Sequence, residues 1–291
     1  MLYKNQTVGE LEVFQQSSVN NLNDEDSNPS ELHAPNAPPK EGNADQTKLE
    51  ELFQKLQIDD MTHLSSDEIS QVKQLISKYR NIFHDDETGL PAANVPEHDI
   101  ILDTDKIIRT PYRQIPLAMK PKAKELIQDL INKDIIEPST SPYHSPSFII
   151  RRGSKFRLVT DYRNINRHVI RGFQPLPSIE SLTSLWAGCR YWSVLDLQSA
   201  YFQVKLSEKS KRISATSIPG VAFFQYKRIP LGISSAVGYF HGILENALLD
   251  LNNCVNYLDD LASGAEMKSN IKAIFKRLQE IGLRLRADKT K

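Results

Sequence analysis

Apolar residues recur along this chain with two different periods, and the point where the period changes divides it into a helical stretch and a mixed one. Leu49, Leu52, Phe53 and Leu56 fall at helical spacing. Ser65, followed three residues on by Glu68, forms a capping box at the start of a second helix. Ile69, Val72, Leu75, Ile76, Tyr79 and Phe83 then trace one apolar stripe, so that helix is amphipathic and must dock on something. Residues 84–116 are irregular and proline-bearing. A third helix is predicted over 117–133, with Leu126, Ile127, Leu130 and Ile131 as its inner face and a stop before Pro138.

Beyond Pro138 the period shortens. Runs over 147–152 and 156–162 read as two strands joined by Gly153-Ser154, the composition of a hairpin. Ser178 caps a predicted helix through Trp186. Strands are predicted over 191–197, 212–217, 223–228, 253–258 and 261–263, with helices near 234–250 and 267–281. The class is α+β, an antiparallel sheet covered by helices on one side.

Composition agrees with a soluble globular fold. The 291 residues are 40% hydrophobic and 25% charged, enough for two small domains or one with appendages. The stretch 20–46 has few large apolar residues and carries Pro35, Pro38 and Pro39, so it is predicted to be a flexible linker. No run of about 18 apolar residues exists and the N-terminus lacks a signal-peptide core, which predicts an intracellular protein without a membrane span. Cys189 and Cys254 and the seven scattered histidines rule out a disulfide scaffold or a structural zinc site. The formal net charge of zero conceals a split: residues 1–100 hold 7 Lys and Arg against 19 Asp and Glu, and the remainder carries the opposite imbalance. A basic body behind an acidic leader can bind a polyanion, although a charge run is more often just a solvated face.

Two acidic pieces carry candidate chemistry. Ser193-Val194-Leu195-Asp196 is a buried-type strand that ends in a carboxylate, and 254–261 is an apolar strand interrupted by Asp259-Asp260. If these strands are neighbours, Asp196 and Asp259 could hold two divalent cations about 3.5–4 Å apart, the geometry of in-line phosphoryl displacement. Hard magnesium ions favour such oxygen ligands. On residue types alone, Asp259-Asp260 could instead supply turn residues and Asp196 a cap.

The run from Leu195 to Val204 (Leu-Asp-Leu-Gln-Ser-Ala-Tyr-Phe-Gln-Val), followed by Tyr257-Leu258-Asp259-Asp260, resembles the reverse transcriptases of retroviruses and, more closely, those of gypsy-type long-terminal-repeat retrotransposon Pol polyproteins. Ile135 to Tyr143 with Ser145-Pro146 is similar to that family's approach to the fingers. Phe156 to Asn166 is similar to its fingers-strand motif. The resemblance covers about residues 64–291. It implies the fingers and palm of a right-hand polymerase, with a disordered acidic leader over 1–47, a helical extension over 48–112 and the catalytic region over 113–291.

By that resemblance Asp196, Asp259 and Asp260 are the catalytic and metal-binding carboxylates. The implied cofactor is a pair of Mg2+ ions, with Mn2+ as a substitute; the substrates are dNTP and an RNA or DNA template-primer, and no membrane is involved. Tyr201, beside Ala200, would lie beneath the incoming sugar and exclude a 2′-hydroxyl. Arg157, Leu231, Gly232 and Lys289 would line the nucleotide site, and Arg151, Arg152, Lys155, Arg163, Asn166 and Tyr257 would face template or primer.

The sequence departs from the family pattern at Leu231, Ser235, Val237 and His241, and Ala262-Ser263 replaces larger apolar residues, which predicts a weakened strand. The chain stops at Lys291, so thumb, connection and ribonuclease H regions would have to come from the rest of a Pol polyprotein, and no protease triplet is present. Two further readings stay open here: a truncated or domesticated relic that binds nucleic acid without polymerising, and an RNA-copying polymerase, which Tyr201 disfavours.

Overall fold

The computed structural model describes residues 41–84, 89–153, 155–172, 192–251, 254–257, 260–264 and 267–290. The helix predicted over 178–186, and the leader up to residue 40, lie outside these.

Helix α1, Glu41–Lys55, begins inside the stretch predicted to be a linker. The correction has a physical cause: Asp45 pairs with Arg80 at 2.8 Å, which ties down the N-terminal half of the helix. The helix therefore crosses the 47/48 boundary drawn from composition. Helix α2, Ser66–Lys78, carries the predicted capping box at Ser65, with Glu68 Oε2 accepting from the Ser65 amide at 2.8 Å. Its stripe docks through Tyr79 and Phe83, whose rings meet Phe275 edge-on at 5.9 and 5.8 Å. Phe275 belongs to a later helix, Met267–Ile281, so the extension is knit into the body.

Residues 89–116 are irregular, as predicted, yet tied down by isolated bridges. His98 pairs with Leu206, and Arg109 with His144. Helix α3, Lys120–Asn132, buries Ala123 and Ile127. Strands β1, Ile136–Pro138, β2, Ser145–Arg152, and β3, Lys155–Thr160, follow. The β2–β3 hairpin turns at Gly153, whose φ of +62° is a conformation glycine adopts without a Cβ penalty. A short helix α4, Arg163–Asn166, comes after β3.

Strand β4, Trp192–Asp196, is next, then helix α5, Glu208–Ile213, and strands β5, Thr216–Ile218, and β6, Ala222–Tyr226. Helix α5 takes the first two residues of the strand predicted over 212–217, which is found shorter and later as β5. Ser207 and Glu208 open a helical turn there, and the Ser207 hydroxyl bonds Ser210 at 2.9 Å. Helix α6, Ala236–Leu248, strands β7, Cys254–Tyr257, and β8, Asp260–Gly264, and helix α7, Met267–Ile281, complete the set.

The strands form two sheets, ordered β1-β6-β5-β2-β3 and β4-β8-β7. Pairing is antiparallel except for β2 with β5, which run parallel through Ser145 and Pro146. A hydroxyl chain is buried at that junction: Ser147 Oγ lies 2.7 Å from Thr160 Oγ1 and 2.6 Å from Thr216 Oγ1. Helices α6 and α7 pack on the three-stranded sheet, so Leu195, Asn256, Leu261 and Ser263 are buried on that side. Strand β8 pairs on both sides along its length despite Ala262 and Ser263, so the predicted weakening does not interrupt the ladder.

Candidate active site

The period of a strand explains why Asp196 is available for chemistry. Leu195 points into the core beneath the sheet, so Val194 and Asp196 must point to the other face. There the Asp196 side chain keeps 19% of its exposure, and Lys289 Nζ reaches its Oδ2 at 3.3 Å. The register sets Asp196 directly across from Asp260, and Tyr257 across from Asp260 on the other side. Asp259 lies outside the described residues, and for Asp260 and Tyr257 it is the backbone pairing that is described. Among the described residues no three His, Cys, Asp or Glu side chains gather as a metal site.

Lys289 arrives through a segment that returns from α7. Residues 284–286 lie antiparallel to 196–198: Gln198 N–H donates to Arg284 O at 3.0 Å, and Arg286 N–H donates to Asp196 O at 2.8 Å. A one-turn 3-10 helix, Ala287–Lys289, then places the ammonium. Its neighbour Asp288 takes a bidentate bond from Arg286 at 2.6 and 2.9 Å, and that bond holds the Asp288 carboxyl below the usual range.

After Asp196 the chain reverses at Ser199, a non-glycine residue with φ +46°. Ala200 is buried, and Tyr201 is half-buried with its ring 5.5 Å from Phe240. Leu231 stands 63% exposed, and Gly232 follows with φ +100°. Asn166 holds this loop from the end of α4: its Nδ2 donates to Gly232 O at 2.7 Å, and Ser234 N–H donates to its Oδ1 at 2.9 Å. The sequence assigned Asn166 to the template; its amide is bound to the loop that carries Leu231.

Two of the departures from the family pattern have partners inside the fold. Ser235 Oγ meets His98 Nε2 at 2.9 Å, and the His241 ring and carbonyl meet Asn256 Nδ2 at 2.8 and 3.2 Å. Neither partner is close in sequence, so the motif could not have revealed the pairing. Val237 is exposed on α6.

The remaining cations stand on the other sheet. Arg151, Arg152, Lys155 and Arg157 are exposed on the β2–β3 hairpin, and Arg151 Nε donates to Gly153 O at 3.0 Å. Arg163 is engaged by Asp161 at 2.8 and 2.7 Å, with Arg113 3.8 Å from the same carboxylate. The Arg163 hydrogen bond keeps the Asp161 carboxyl below the usual range.

A family model described as reverse transcriptase (RNA-dependent DNA polymerase) matches residues 149–291. The chain is 28% identical over 302 residues to the retrovirus-related Pol polyprotein from transposon 297 of Drosophila melanogaster, which covers 99% of the chain and 28% of that polyprotein. It is 28% identical over 233 residues to the Pol polyprotein from transposon 412 of the same organism, covering 76% of the chain and 19% of the relative. With the enzymatic polyprotein of Figwort mosaic virus it shares 30% identity over 197 residues, 63% of the chain and 29% of the relative. The chain thus spans less than a third of the length of each of these relatives.

Among solved structures, the foamy viral protease-reverse transcriptase in complex with RNA/DNA hybrid superposes with a TM-score of 0.73 at 21% identity, over 84% of this chain and 33% of that one. The foamy viral protease-reverse transcriptase in complex with dsDNA gives 0.69 at 22% identity, over 83% and 50%. These likenesses show the fold. Residues 149–291 thus belong to the reverse transcriptase family, and retrotransposon Pol polyproteins stand among the relatives of the chain.

Proposed function

We propose that this chain carries out RNA-directed DNA synthesis as the fingers and palm of a retrotransposon Pol polyprotein. The primer 3′-hydroxyl attacks the α-phosphorus of a dNTP, a phosphodiester bond forms, and pyrophosphate leaves. The observation that carries this reading is the register of Asp196 opposite Asp260, with Asp196 open on the far side of the sheet from the helices and Lys289 beside it.

An all-oxygen donor set on a partly open carboxylate suits a hard divalent cation. Asp196, Asp259 and Asp260 would hold Mg2+, with Mn2+ able to replace it. Bound there, the ions would lower the pKa of the primer hydroxyl and neutralise charge on the leaving group. The chain's own residues do the rest. Lys289 sets a positive charge at the edge of the carboxylate, where a triphosphate would lie. Arg157 offers a second cation from β3. Tyr201, backed by Phe240, fills the space a 2′-hydroxyl would need, while Leu231 and Gly232 form the wall that Asn166 holds.

Template and primer would run across the exposed hairpin cations Arg151, Arg152 and Lys155, and Arg163 with Asp161 stiffens the strand end next to them. Most such contacts go to phosphates and position the strand without reading its sequence. Solved relatives bound to RNA/DNA hybrid and dsDNA support this class of partner. Thumb and ribonuclease H regions of a longer polyprotein would supply the other wall of the groove.

Primer extension on poly(A) primed with oligo(dT) tests the proposal. Magnesium-dependent incorporation by the chain, lost in Asp259→Asn and Asp196→Asn, is the expected result. Template binding without incorporation under Mg2+ or Mn2+ would overturn it.

A further inference from the structure

Gln203 is fully buried and polar, so its amide must be satisfied inside the protein. It is satisfied entirely by backbone. Nε2 donates to Gln198 O at 2.7 Å and to Arg284 O at 2.9 Å, and Oε1 accepts from Arg284 N–H at 2.6 Å. The side chain thus pairs with Arg284 as a peptide group of an adjoining strand would, closing the end of the two-stranded contact between 196–198 and 284–286. Its other bond, to Gln198 O, spans the reversal at Ser199, whose left-handed conformation is costly for a residue with a Cβ. The Gln203 carbonyl accepts from Ala93 N–H at 2.8 Å, so the N-terminal extension is fastened to the same point.

We infer that Gln203 is a positioning residue for the candidate active site: it fixes the segment bearing Lys289 against the turn that follows Asp196. The inference rests on the reading of Asp196 as a metal ligand. The Arg284 N–H is satisfied by the Gln203 amide oxygen, and Arg284 lies two residues before Arg286, whose N–H grips the Asp196 carbonyl. Without the amide, the ladder that sets Asp196 against Lys289 would open from one end. Groups that orient metal ligands without touching the metal commonly change affinity by about 10- to 100-fold when removed.

The test is Mn2+ binding to the full chain, followed by the electron paramagnetic resonance signal of the free ion, for wild type, Asp196→Asn, Gln203→Met, Gln203→Asn and Ser147→Ala. Gln203→Met keeps length and burial but removes the amide; Gln203→Asn keeps the amide and loses its reach. Ser147 is equally buried but sits in the other sheet. A purely destabilising change lowers the number of sites per chain and leaves the affinity of the folded fraction alone. The expected result is about tenfold weaker Mn2+ binding in Gln203→Met, at least about threefold in Gln203→Asn, and wild-type affinity in Ser147→Ala. Wild-type affinity in the folded fraction of both Gln203 variants, with Asp196→Asn impaired, would overturn the role of Gln203. Undiminished binding in Asp196→Asn would instead overturn the reading beneath it.

Discussion

Protonating His98 is expected to loosen the segment that straps the N-terminal extension to helix α6. The imidazole is 3% exposed, bonds Ser235 through Nε2, and lies 4.5 Å from the Tyr239 ring. The Tyr239 hydroxyl donates to Pro96 O at 2.6 Å, so ring and strap are joined at two points. Burial pushes the His98 pKa down from 6.5 to about 4, against the opposing pull of Asp99. The unfolded chain therefore binds the proton first, and stability rises with pH across this window: it is fully present above pH 6.5 and lost as pH falls toward 4. The whole gap corresponds to about 3 kcal/mol, of which about 2 kcal/mol is lost between pH 7.5 and pH 5. Urea unfolding at those two pH values, for wild type and His98→Gln, measures it. The wild type should lose about 2 kcal/mol more than the variant on acidification. Equal losses would refute the reasoning, because the pH dependence would then belong to other groups.

Three further outcomes are expected. Ser65→Ala removes the hydroxyl that accepts from Glu68 N–H and should lower unfolding free energy by about 1 kcal/mol in the same urea assay. Asn166→Ala frees Gly232 O and Ser234 N–H, so steady-state kinetics on a homopolymer template should show KM for dNTP rising more than kcat falls. Tyr201→Ala opens the space beneath the sugar, and the ratio of ribonucleotide to deoxynucleotide incorporation should rise by about tenfold or more in primer-extension competition.

Local signals in the sequence were sufficient where the structure is local. The capping box at Ser65, the β2–β3 hairpin at Gly153 and the strand that delivers Asp196 each follow from a few neighbouring residues. The two segments read wrongly are held by distant partners. The N-terminal half of α1 is tied to Arg80 through Asp45, and the strand predicted over 212–217 starts late because α5 runs through Ile213 from Ser207, whose hydroxyl bonds Asp99 and Ser210. The division into two sheets was illegible for the same reason, since the β2–β5 contact involves only two residue pairs.

The site shows the same division. The strand pattern put Asp196 at a strand end and the resemblance assigned Lys289 to the nucleotide site, but the bonds of Asn166 and Gln203 could not be read. Their side chains bond backbone groups 66 and 81 residues away, and a backbone amide or carbonyl carries no sequence signature.

The central claim, that Asp196 and Asp259 share a cation pair in front of a primer terminus, is tested most directly by anomalous diffraction from crystals of the full chain with primer-template, dNTP and Mn2+. The account predicts manganese peaks bridging the carboxylates of Asp196 and Asp259, with the triphosphate reaching toward Lys289. Manganese bound elsewhere, with the Asp196 and Asp259 carboxylates facing separate regions, would contradict it.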